Sequence, residues 1–445
     1  MTSLPTPEPA TEPATEPTTG RRGIPAGARA VARTVEVDAP GALLSLLPDH
    51  VDATHVCSWV RRGEGMVGWG RALEFTASGP DRFAQAQQWW RDVVAGAVVR
   101  DEVRLPGTGP VAFGSVSYSA GSSAGATLVV PEVVVGSRDG RFWVTTIGTD
   151  SELPAPVVPK QSDPREPEGV AFADGALSPA QWAGAVGRAV ERITAGDLDK
   201  VVLARDLQVS ADAPIDPRWL LTRLAERYDT TWVFAVDGLV GATPEMLVRL
   251  ERGLVTSRVL AGTIRRTGDD AHDLALAASL ARSSKDLEEH EYAVRSVADA
   301  LRPHCSSMNV PESPFVLHLS NVMHLATDVA GVLADGSTSL ALAASLHPSA
   351  AVCGTPSAVA DALITELESM DRGRYAGPVG WMDASGDGEW GIALRCGAFD
   401  DADASSMRLF AGCGIVAGSD PESEVAESDA KLVPMRDALT AATPG

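Results

Sequence analysis

Apolar and polar positions along the 445-residue chain recur with two periods, which predict many strands and several helices. Short apolar runs between Gly and Asp turns, such as GPVAFGSVSYS and RFWVTTIGT, are typical of antiparallel strands. Apolar positions three or four residues apart predict helices within 81–98, 178–200 and 283–303. This pattern favours an α+β fold with large, mainly antiparallel sheets packed with helices.

Two of these helical segments carry acidic pairs. Asp286 and Glu289 are three residues apart and share a face, as do Glu424 and Glu427 in the helix predicted after the turn at Ser419–Asp420–Pro421. Taken alone, each pair is explained by a solvated helix face. A pair that faced inward would require a cation, and oxygen ligands from two segments suit Mg²⁺.

Changes in composition divide the chain into three parts. Residues 1–22 repeat Pro, Thr and Glu, which cannot bury enough surface to fold, and predict a disordered tail. Residues 23–165 form a variable N-terminal half, which ends in the proline-rich linker PAPVVPKQSDPREPEG. Residues 166–445 form the second half, and we expect the two halves to make one compact unit.

Charge and cysteine content exclude several classes of partner. The formal net charge of -22 predicts a surface that repels nucleic acid and anionic lipid, so we expect neither as a partner. No apolar run approaches the length that spans a bilayer. The five scattered cysteines indicate neither a zinc site nor a disulfide framework and fit a reducing cytoplasm. We expect a monomer.

Eight separate blocks of the second half carry the residues on which a functional interpretation depends. They are KVVLAR (200–205), ATPEML (242–247), VLAGTIRR (259–266), SSKDLEEHEYAV (283–294), NVMHLATDVAG (321–331), LHPSAAVCGTP (346–356), RGRYAGPVGW (372–381) and AGCGIVAGSDPESEVAESDAKL (411–432). Together they resemble the chorismate-utilising enzymes over roughly residues 180–440. This family includes anthranilate, aminodeoxychorismate, salicylate and isochorismate synthases.

The resemblance implies roles for the acidic pairs and for two further residues. Glu289 and Glu427 match the residues that hold Mg²⁺ against the ring carboxylate of chorismate, and Glu424 and Asp286 shape the same metal site. Lys200 matches the family's general base. Glu245, in ATPE, matches its general acid, on the opposite side of the substrate ring.

The resemblance also implies a set of substrate-binding residues. Gly412 and Gly414 lack side chains, so their backbone amides can approach the enolpyruvyl carboxylate closely. His324 is expected near the ring carboxylate, whereas His290, His318 and His347 are interpreted as packing or structural residues. The remaining predicted substrate ligands are Gly262, Thr263, Ala351, Tyr375, Arg395 and Lys431.

Three positions separate the subfamilies. Related anthranilate synthases carry glutamine in place of Lys200, and common aminodeoxychorismate synthases carry a nucleophilic lysine in place of Ala261. Salicylate synthases carry threonine at Ala351, where isochorismate synthases carry alanine. The chain is therefore predicted to be an isochorismate synthase, an isomerase that adds water at C2 of chorismate and removes the C4 hydroxyl.

Two alternatives stay open at this point. Salicylate synthase is one, because Ser349 and Ala350 replace the usual Thr-Pro beside Ala351. The other is a non-catalytic module that binds a divalent ion or a partner protein through its acidic pairs, which would not need Lys200 and Glu245. The sequence does not distinguish menaquinone from siderophore biosynthesis.

Overall fold

A computed structural model describes most of the chain. The described residues are 21–22, 29–49, 51–149, 161–318 and 322–440, without the side chains of Arg21, Arg22, Thr263, Lys285 and Glu289. The predicted tail therefore lies outside the described residues except for Arg21–Arg22, and so does the first part of the predicted linker.

Eight α-helices occur in the described ranges, and they confirm the three helical segments predicted above. They are α1 (Arg82–Gly96), α2 (Pro179–Thr194), α3 (Pro217–Arg227), α4 (Asp270–Leu280), α5 (Ser284–Leu301), α6 (Ser339–Ser345), α7 (Ser357–Leu367) and α8 (Pro421–Leu439).

The strands outnumber the helices, as the alternating pattern predicts. In chain order they are β1 (Arg21–Arg22), β2 (Val31–Val37), β3 (Val56–Arg61), β4 (Glu64–Trp69), β5 (Leu73–Ala77), β6 (Val98–Asp101), β7 (Val111–Val116), β8 (Ala126–Val130), β9 (Val133–Arg138), β10 (Arg141–Gly148), β11 (Ala171–Asp174), β12 (Lys200–Ser210), β13 (Trp232–Val236), β14 (Leu239–Thr243), β15 (Met246–Glu251), β16 (Leu254–Arg265), β17 (Cys305–Asn309), β18 (Phe315–His318), β19 (Val322–Leu333), β20 (Gly354–Thr355), β21 (Pro378–Asp383), β22 (Gly388–Ile392), β23 (Cys396–Phe399) and β24 (Ser406–Ile415).

Two large, mainly antiparallel sheets contain these strands. One has the order β1-β5-β8-β7-β21-β22-β15-β16-β19-β17, with β18 also paired to β19. The other has the order β11-β12-β24-β23-β14-β13-β3-β4-β9-β10-β2-β6, with β20 also paired to β12. This arrangement confirms the predicted α+β class. Each sheet contains strands from both sides of residue 165, and the division of the chain there stays a prediction.

The core lies between the sheets and crosses the predicted boundary between the halves. Trp59 on β3 donates from Nε1 to Glu389 Oε2 on β22 at 2.7 Å, which ties one sheet to the other. Trp90 on α1 is buried and donates to the carbonyl oxygen of Asp383 at 3.0 Å. This contact joins a helix from before residue 165 to a strand from after it. Within the described ranges, no helix is long and apolar enough to cross a membrane.

Local sequence explains how α2 begins and which face it buries. The Ser178 hydroxyl accepts a hydrogen bond from the amide of Gln181, and the side-chain oxygen of Gln181 accepts one from the amide of Ser178. Pro179 occupies the first helical turn. Trp182, Val186 and other apolar residues at three- or four-residue spacing are buried. The helix therefore packs on the sheet and leads directly into β12, the strand that begins with Lys200.

Candidate active site

Strands β12 and β24 form the floor of the candidate site. Val202 pairs with Gly414 and Ala204 with Gly412. The amide of Val202 donates to the carbonyl oxygen of Cys353, so this residue's backbone groups point away from β24. In an antiparallel sheet, some residue pairs exchange no hydrogen bonds, and the backbone N–H and C=O groups of both residues then point away from the partner strand. The amides of the two glycines therefore point away from β12.

At these two glycines, side chains can reach the edge of β24 that faces away from β12. Strand β23 pairs with β24 only at Met407–Leu409, so Gly412 and Gly414 lie beyond the paired part. Lys431 on α8 reaches this edge and donates from Nζ to the Gly412 carbonyl oxygen at 2.8 Å. The two predicted glycines and the predicted lysine are therefore brought together, with backbone amides directed to the same edge.

The absence of side chains at the glycines also makes room for neighbouring groups. A Cβ atom at Gly414 would lie 3.0 Å from Cε and 3.5 Å from Nζ of Lys200. A Cβ atom at Gly412 would lie 3.0 Å from the hydroxyl oxygen of Tyr375. The structure thus adds a role that the sequence interpretation did not contain, because these glycines admit Lys200 and Tyr375 as well as a close backbone approach.

Glu245 lies between β14 and β15, where backbone contacts hold it. Its amide donates to Thr243 Oγ1 at 3.2 Å, and its carbonyl oxygen accepts from the amide of Ile392 at 3.1 Å. Burial raises the pKa of the Glu245 carboxyl to about 7. Three cations oppose this shift: Lys200, Arg395 and Lys431. Glu245 therefore holds a proton over much of the range below neutral pH, close to Lys200.

Tyr375 and Arg395 occupy the space between Glu245 and the edge of β24. Tyr375 is buried and stacks on Phe410, with ring centroids 5.1 Å apart and an interplanar angle of 11°. Arg395 has a left-handed backbone conformation, with φ of 50°, immediately before β23. Burial lowers the pKa of its guanidinium, whereas Tyr375 and Glu427 favour its charged form. A guanidinium and a phenol hydroxyl are suited to binding a carboxylate.

His324 lies on β19 opposite Thr263 of β16, where Gly262 forms a bulge with φ of 77°. The His324 ring is hydrogen-bonded to the backbone of Gly262. Burial, together with the charges of Arg395 and Lys431, lowers the pKa of His324 to about 4. His324 is thus a neutral imidazole at physiological pH. The side chain of Thr263 lies outside the described residues.

The histidine next to Glu289 has a packing role, as the sequence interpretation proposed. His290 is buried, and its Nδ1 lies 3.2 Å from the carbonyl oxygen of Ala261, while Nε2 lies 2.8 Å from Thr327 Oγ1. These contacts hold α5 against β16 and β19. Asp286, one turn earlier, has its Cβ 3.2 Å from the position that a Cβ at Gly262 would occupy.

Three potential metal-ligating residues converge on the opposite face of β24. One ligand atom from each of Cys413, Glu424 and Glu427 lies within 4.8 Å of the others. Burial raises the pKa of the Cys413 thiol to about 12, so it stays protonated, with Sγ 3.5 Å from the carbonyl oxygen of Glu424. Glu427 Oε1 accepts from Lys431 Nζ at 2.7 Å, and this contact lowers the pKa of Glu427 although burial opposes it.

The two glutamates fit a hard divalent cation. Glu424 Oε2 is buried and has no hydrogen-bond partner among the described residues. Burial, together with the charge of Glu427, raises the pKa of Glu424. A cation that binds oxygen ligands would neutralise the two carboxylates and coordinate the unpaired oxygen of Glu424. It would therefore offset both the repulsion between the charges and the burial of that oxygen. The side chain of Glu289, the third predicted ligand, lies outside the described residues.

A contact between β16 and α8 links the surroundings of the two acidic helices. Arg265, at the end of β16, donates from Nη2 to the carbonyl oxygen of Ala426 on α8 at 3.2 Å. Helix α5, which carries Asp286 and Glu289, packs against the same strand. Strand β16 therefore contacts both helices on which the metal ligands are predicted.

The loop that carries Ala351 runs along β12. The amides of Val352 and Cys353 donate to the carbonyl oxygen of Ser349 at 3.1 and 3.0 Å, which folds the segment into a turn. The loop continues into β20, where Thr355 pairs with Lys200. Ala351 is half-buried in this turn. His347, at its start, is half-buried with Nε2 2.8 Å from the Tyr118 carbonyl oxygen, which supports its structural interpretation.

Comparison with known proteins assigns the family. Residues 31–440 match the family described as chorismate binding enzyme. The chain belongs to this family.

Relatives with a named activity align with more than half of this chain. Isochorismate synthase DhbC of Bacillus subtilis is 41% identical over 273 residues, which are 59% of this chain and 68% of the relative. Isochorismate synthase MenF of the same organism is 33% identical over 408 residues, or 84% and 85% of the two chains. The structure of the menaquinone-specific isochorismate synthase MenF of Escherichia coli has a TM-score of 0.76 at 23% identity, covering 93% and 96% of the chains, and supports the fold.

Membership of the chorismate-binding family confirms the resemblance drawn from the eight sequence blocks. It also implies a metal-dependent enzyme that acts on chorismate. Three features of the site were absent from the sequence interpretation: Cys413 beside the glutamates, the contact of Arg265 with α8, and the buried pair of Glu368 and Arg372. The i, i+4 spacing of Glu368 and Arg372 is a signal that could have identified the pair.

Proposed function

We propose that this chorismate-binding enzyme is an isochorismate synthase, an isomerase that reversibly converts chorismate to isochorismate. The sequence-based prediction of this activity is confirmed by relatives with the same activity at 33 and 41% identity. The observation that carries the mechanism is Glu245, a carboxyl whose pKa burial raises to about 7 and which interacts electrostatically with Lys200.

The reaction requires one group to accept a proton and another to donate one. Water adds at C2 of the ring, the double bonds shift, and the C4 hydroxyl leaves. In our proposal the Lys200 side chain acts in its neutral amine form and takes a proton from the attacking water, and Glu245 gives its proton to the departing hydroxyl. Glu245 is protonated at and below its raised pKa, so it can donate without an external acid. The reverse reaction exchanges the two roles.

The cations and amides around β24 bind the enolpyruvyl carboxylate in this proposal. Arg395 and Tyr375 contribute charged and neutral donors, and the outward amides of Gly412 and Gly414 complete the set. Lys431 fixes the edge by binding the Gly412 carbonyl oxygen. These groups supply local positive charge to a chain whose formal net charge is -22.

The ring carboxylate is assigned to the other side of the site. His324, a neutral imidazole whose ring N–H donates to the backbone of Gly262, is proposed to line the site beside this carboxylate. Glu424 and Glu427 are proposed to hold Mg²⁺ together with Glu289 of α5. When bound, the ion neutralises the ring carboxylate and increases electron withdrawal from the ring. Thr263 remains a proposed ligand on the same strand as Gly262.

Analysis of products separates this proposal from salicylate synthase. Purified protein is incubated with chorismate and Mg²⁺, the products are resolved by chromatography, and pyruvate is measured with lactate dehydrogenase. An isochorismate synthase approaches a mixture of chorismate and isochorismate with little pyruvate. Stoichiometric pyruvate would favour salicylate synthase, and unchanged chorismate would favour a binding module. Both outcomes would contradict the proposal.

A further inference from the structure

Glu368 and Arg372 form an ion pair that is almost completely buried. Their relative exposures are 2% and 3%, and Arg372 Nε lies 2.8 Å from Glu368 Oε2. A second contact joins Arg372 Nη2 to Glu368 Oε1 at 2.5 Å. Burying two charges costs more free energy than the pair itself reliably returns, so stability alone is a weak explanation for it.

The pair fills a gap along one edge of β12. Strand β20 pairs with this edge at Lys200 and Val201, and β11 pairs with it again only from Leu207 onward. Between these strands, the backbone groups of Val202 and Ala204 need other partners. The Ala204 carbonyl oxygen accepts from Trp182 Nε1 at 3.0 Å.

Glu368 and Arg372 supply the remaining partners in this gap. Glu368 Oε1 accepts from the Ala204 amide at 2.7 Å, and Arg372 Nη2 donates to the Val202 carbonyl oxygen at 2.7 Å. Since β12 begins at Lys200, these bonds fix the strand two to four residues beyond the proposed base.

The same guanidinium also holds the loop of Ala351. Arg372 Nη1 donates to the carbonyl oxygen of Val352 at 2.8 Å. The turn that follows Arg372 carries Tyr375, whose amide donates to the Arg372 carbonyl oxygen at 3.1 Å. Three segments that carry Lys200, Ala351 and Tyr375 therefore meet at one arginine.

We propose that Glu368 and Arg372 are positioning residues that hold the Lys200 strand, the Ala351 loop and the Tyr375 turn in their catalytic arrangement. This inference rests on the proposed isochorismate synthase activity. The planar, forked guanidinium bonds two carbonyl oxygens and a carboxylate at fixed angles, which the single ammonium of lysine does not reproduce. The pair bonds to the backbone of these segments, so it acts through the segments that it holds.

Arg372→Lys is the first test, since it keeps the charge and removes the fork. We expect kcat to fall about 100-fold, because misplacement of a catalytic group by about 1 Å has effects of this size. The loss should fall mainly on kcat rather than on KM. Arg218→Lys is the matched control, because Arg218 is equally buried, at 3%, and bonds to Asp216 and Asp49 elsewhere in the fold. It should change the melting temperature and leave kcat unchanged.

A double variant separates positioning from stability. Arg372→Met leaves the Glu368 charge buried without its partner, whereas Glu368→Gln with Arg372→Met removes both charges. We expect the double variant to melt at a higher temperature than Arg372→Met while its kcat stays low. Recovery of kcat together with melting temperature, or a wild-type kcat in Arg372→Lys, would overturn the inference. A wild-type protein that forms no isochorismate would instead contradict the proposed function.

Discussion

The two sides of the site differ in how their residues are held and in how their charges are balanced. On one side, Lys200, Glu245 and Arg395 lie at strand ends, where the two sheets and short turns fix their backbones. On the other side, Glu424 and Glu427 lie on α8, and one buried oxygen of Glu424 has no partner among the residues described.

The difference predicts separate roles for the two sides of the site. The strand side places a protonated carboxyl next to cations, so its proton-transfer groups are set by the fold alone. The helix side brings two carboxylates together, so in our proposal its charge balance depends on a bound cation. Changes on the two sides should therefore have separable effects on catalysis and on metal binding.

Removal of metal should produce the largest effect, since it disables the helix side entirely. We expect EDTA to abolish activity and excess Mg²⁺ to restore it. Mg²⁺ should also raise the melting temperature of the wild type, because an ion that binds only the folded state stabilises it.

Glu427→Ala should lose both responses at ordinary Mg²⁺ concentrations. Glu422→Ala is the matched control, since Glu422 is an exposed glutamate in the first turn of the same helix. Full activity in EDTA would show that the helix side does not work through a metal.

Substitution of the proposed proton-transfer residues, Lys200 and Glu245, should reduce turnover through the strand side of the site. Lys200→Ala and Glu245→Gln should each lower kcat by about 100-fold or more, the usual contribution of a general acid or base. Both variants should keep the Mg²⁺-dependent rise in melting temperature. Near-normal turnover in either variant would remove that residue from the mechanism, and loss of the Mg²⁺ response would show that the two sides are not separable.

The pH dependence should report the state of Glu245. Its raised pKa, about 7, means that the carboxyl is protonated below that pH and loses its proton as the pH rises. Because the proposed acid must be protonated, kcat/KM should fall about tenfold for each pH unit above the pKa.

Residual activity of Glu245→Gln should lack this decline, since the amide does not titrate in this range. A kcat/KM that rises through neutral pH in the wild type would contradict the role of Glu245 as the acid.

A methyl group at Gly414 should have the smallest effect of the four changes. Its carbon would lie 3.0 Å from Lys200 Cε, so the flexible lysine should shift rather than the backbone. We expect Gly414→Ala to lower kcat about tenfold with little change in melting temperature. Gly418→Ala is the control, because a Cβ there meets nothing within 4 Å. Equal activity in the two variants would show that the space above Gly414 is not required.

Much of the secondary structure follows from the local sequence pattern, as the confirmed helices and strands show. The Ser178 cap with Gln181 and the apolar spacing in α2 specify the helix from neighbouring residues alone. The alternating runs likewise predict the strands, but not their order. Each sheet joins strands from distant parts of the chain, such as β7 with β21 and β3 with β13, and no local signal encodes those pairings.

The site was predictable where a residue belongs to a recognisable block and not where its role arises from packing. Lys200, Glu245 and the glycines of β24 belong to such blocks, and their proximity is found in the structure. The bond from Ala204 to Glu368 spans 164 residues and closes a gap in a sheet, which the sequence does not reveal. Cys413 was missed because its position depends on how α8 packs against β24. The predicted contacts of the Glu289 and Thr263 side chains stay predictions.

Isotope transfer from solvent tests the central claim most directly. Chorismate is incubated with the enzyme and Mg²⁺ in water enriched in oxygen-18, and the isochorismate formed is analysed by mass spectrometry. Addition of water at C2 with loss of the C4 hydroxyl predicts one heavy oxygen, located in the C2 hydroxyl of isochorismate. Isochorismate without the label would contradict water addition guided by Lys200 and Glu245, and the absence of isochorismate would contradict the assigned activity.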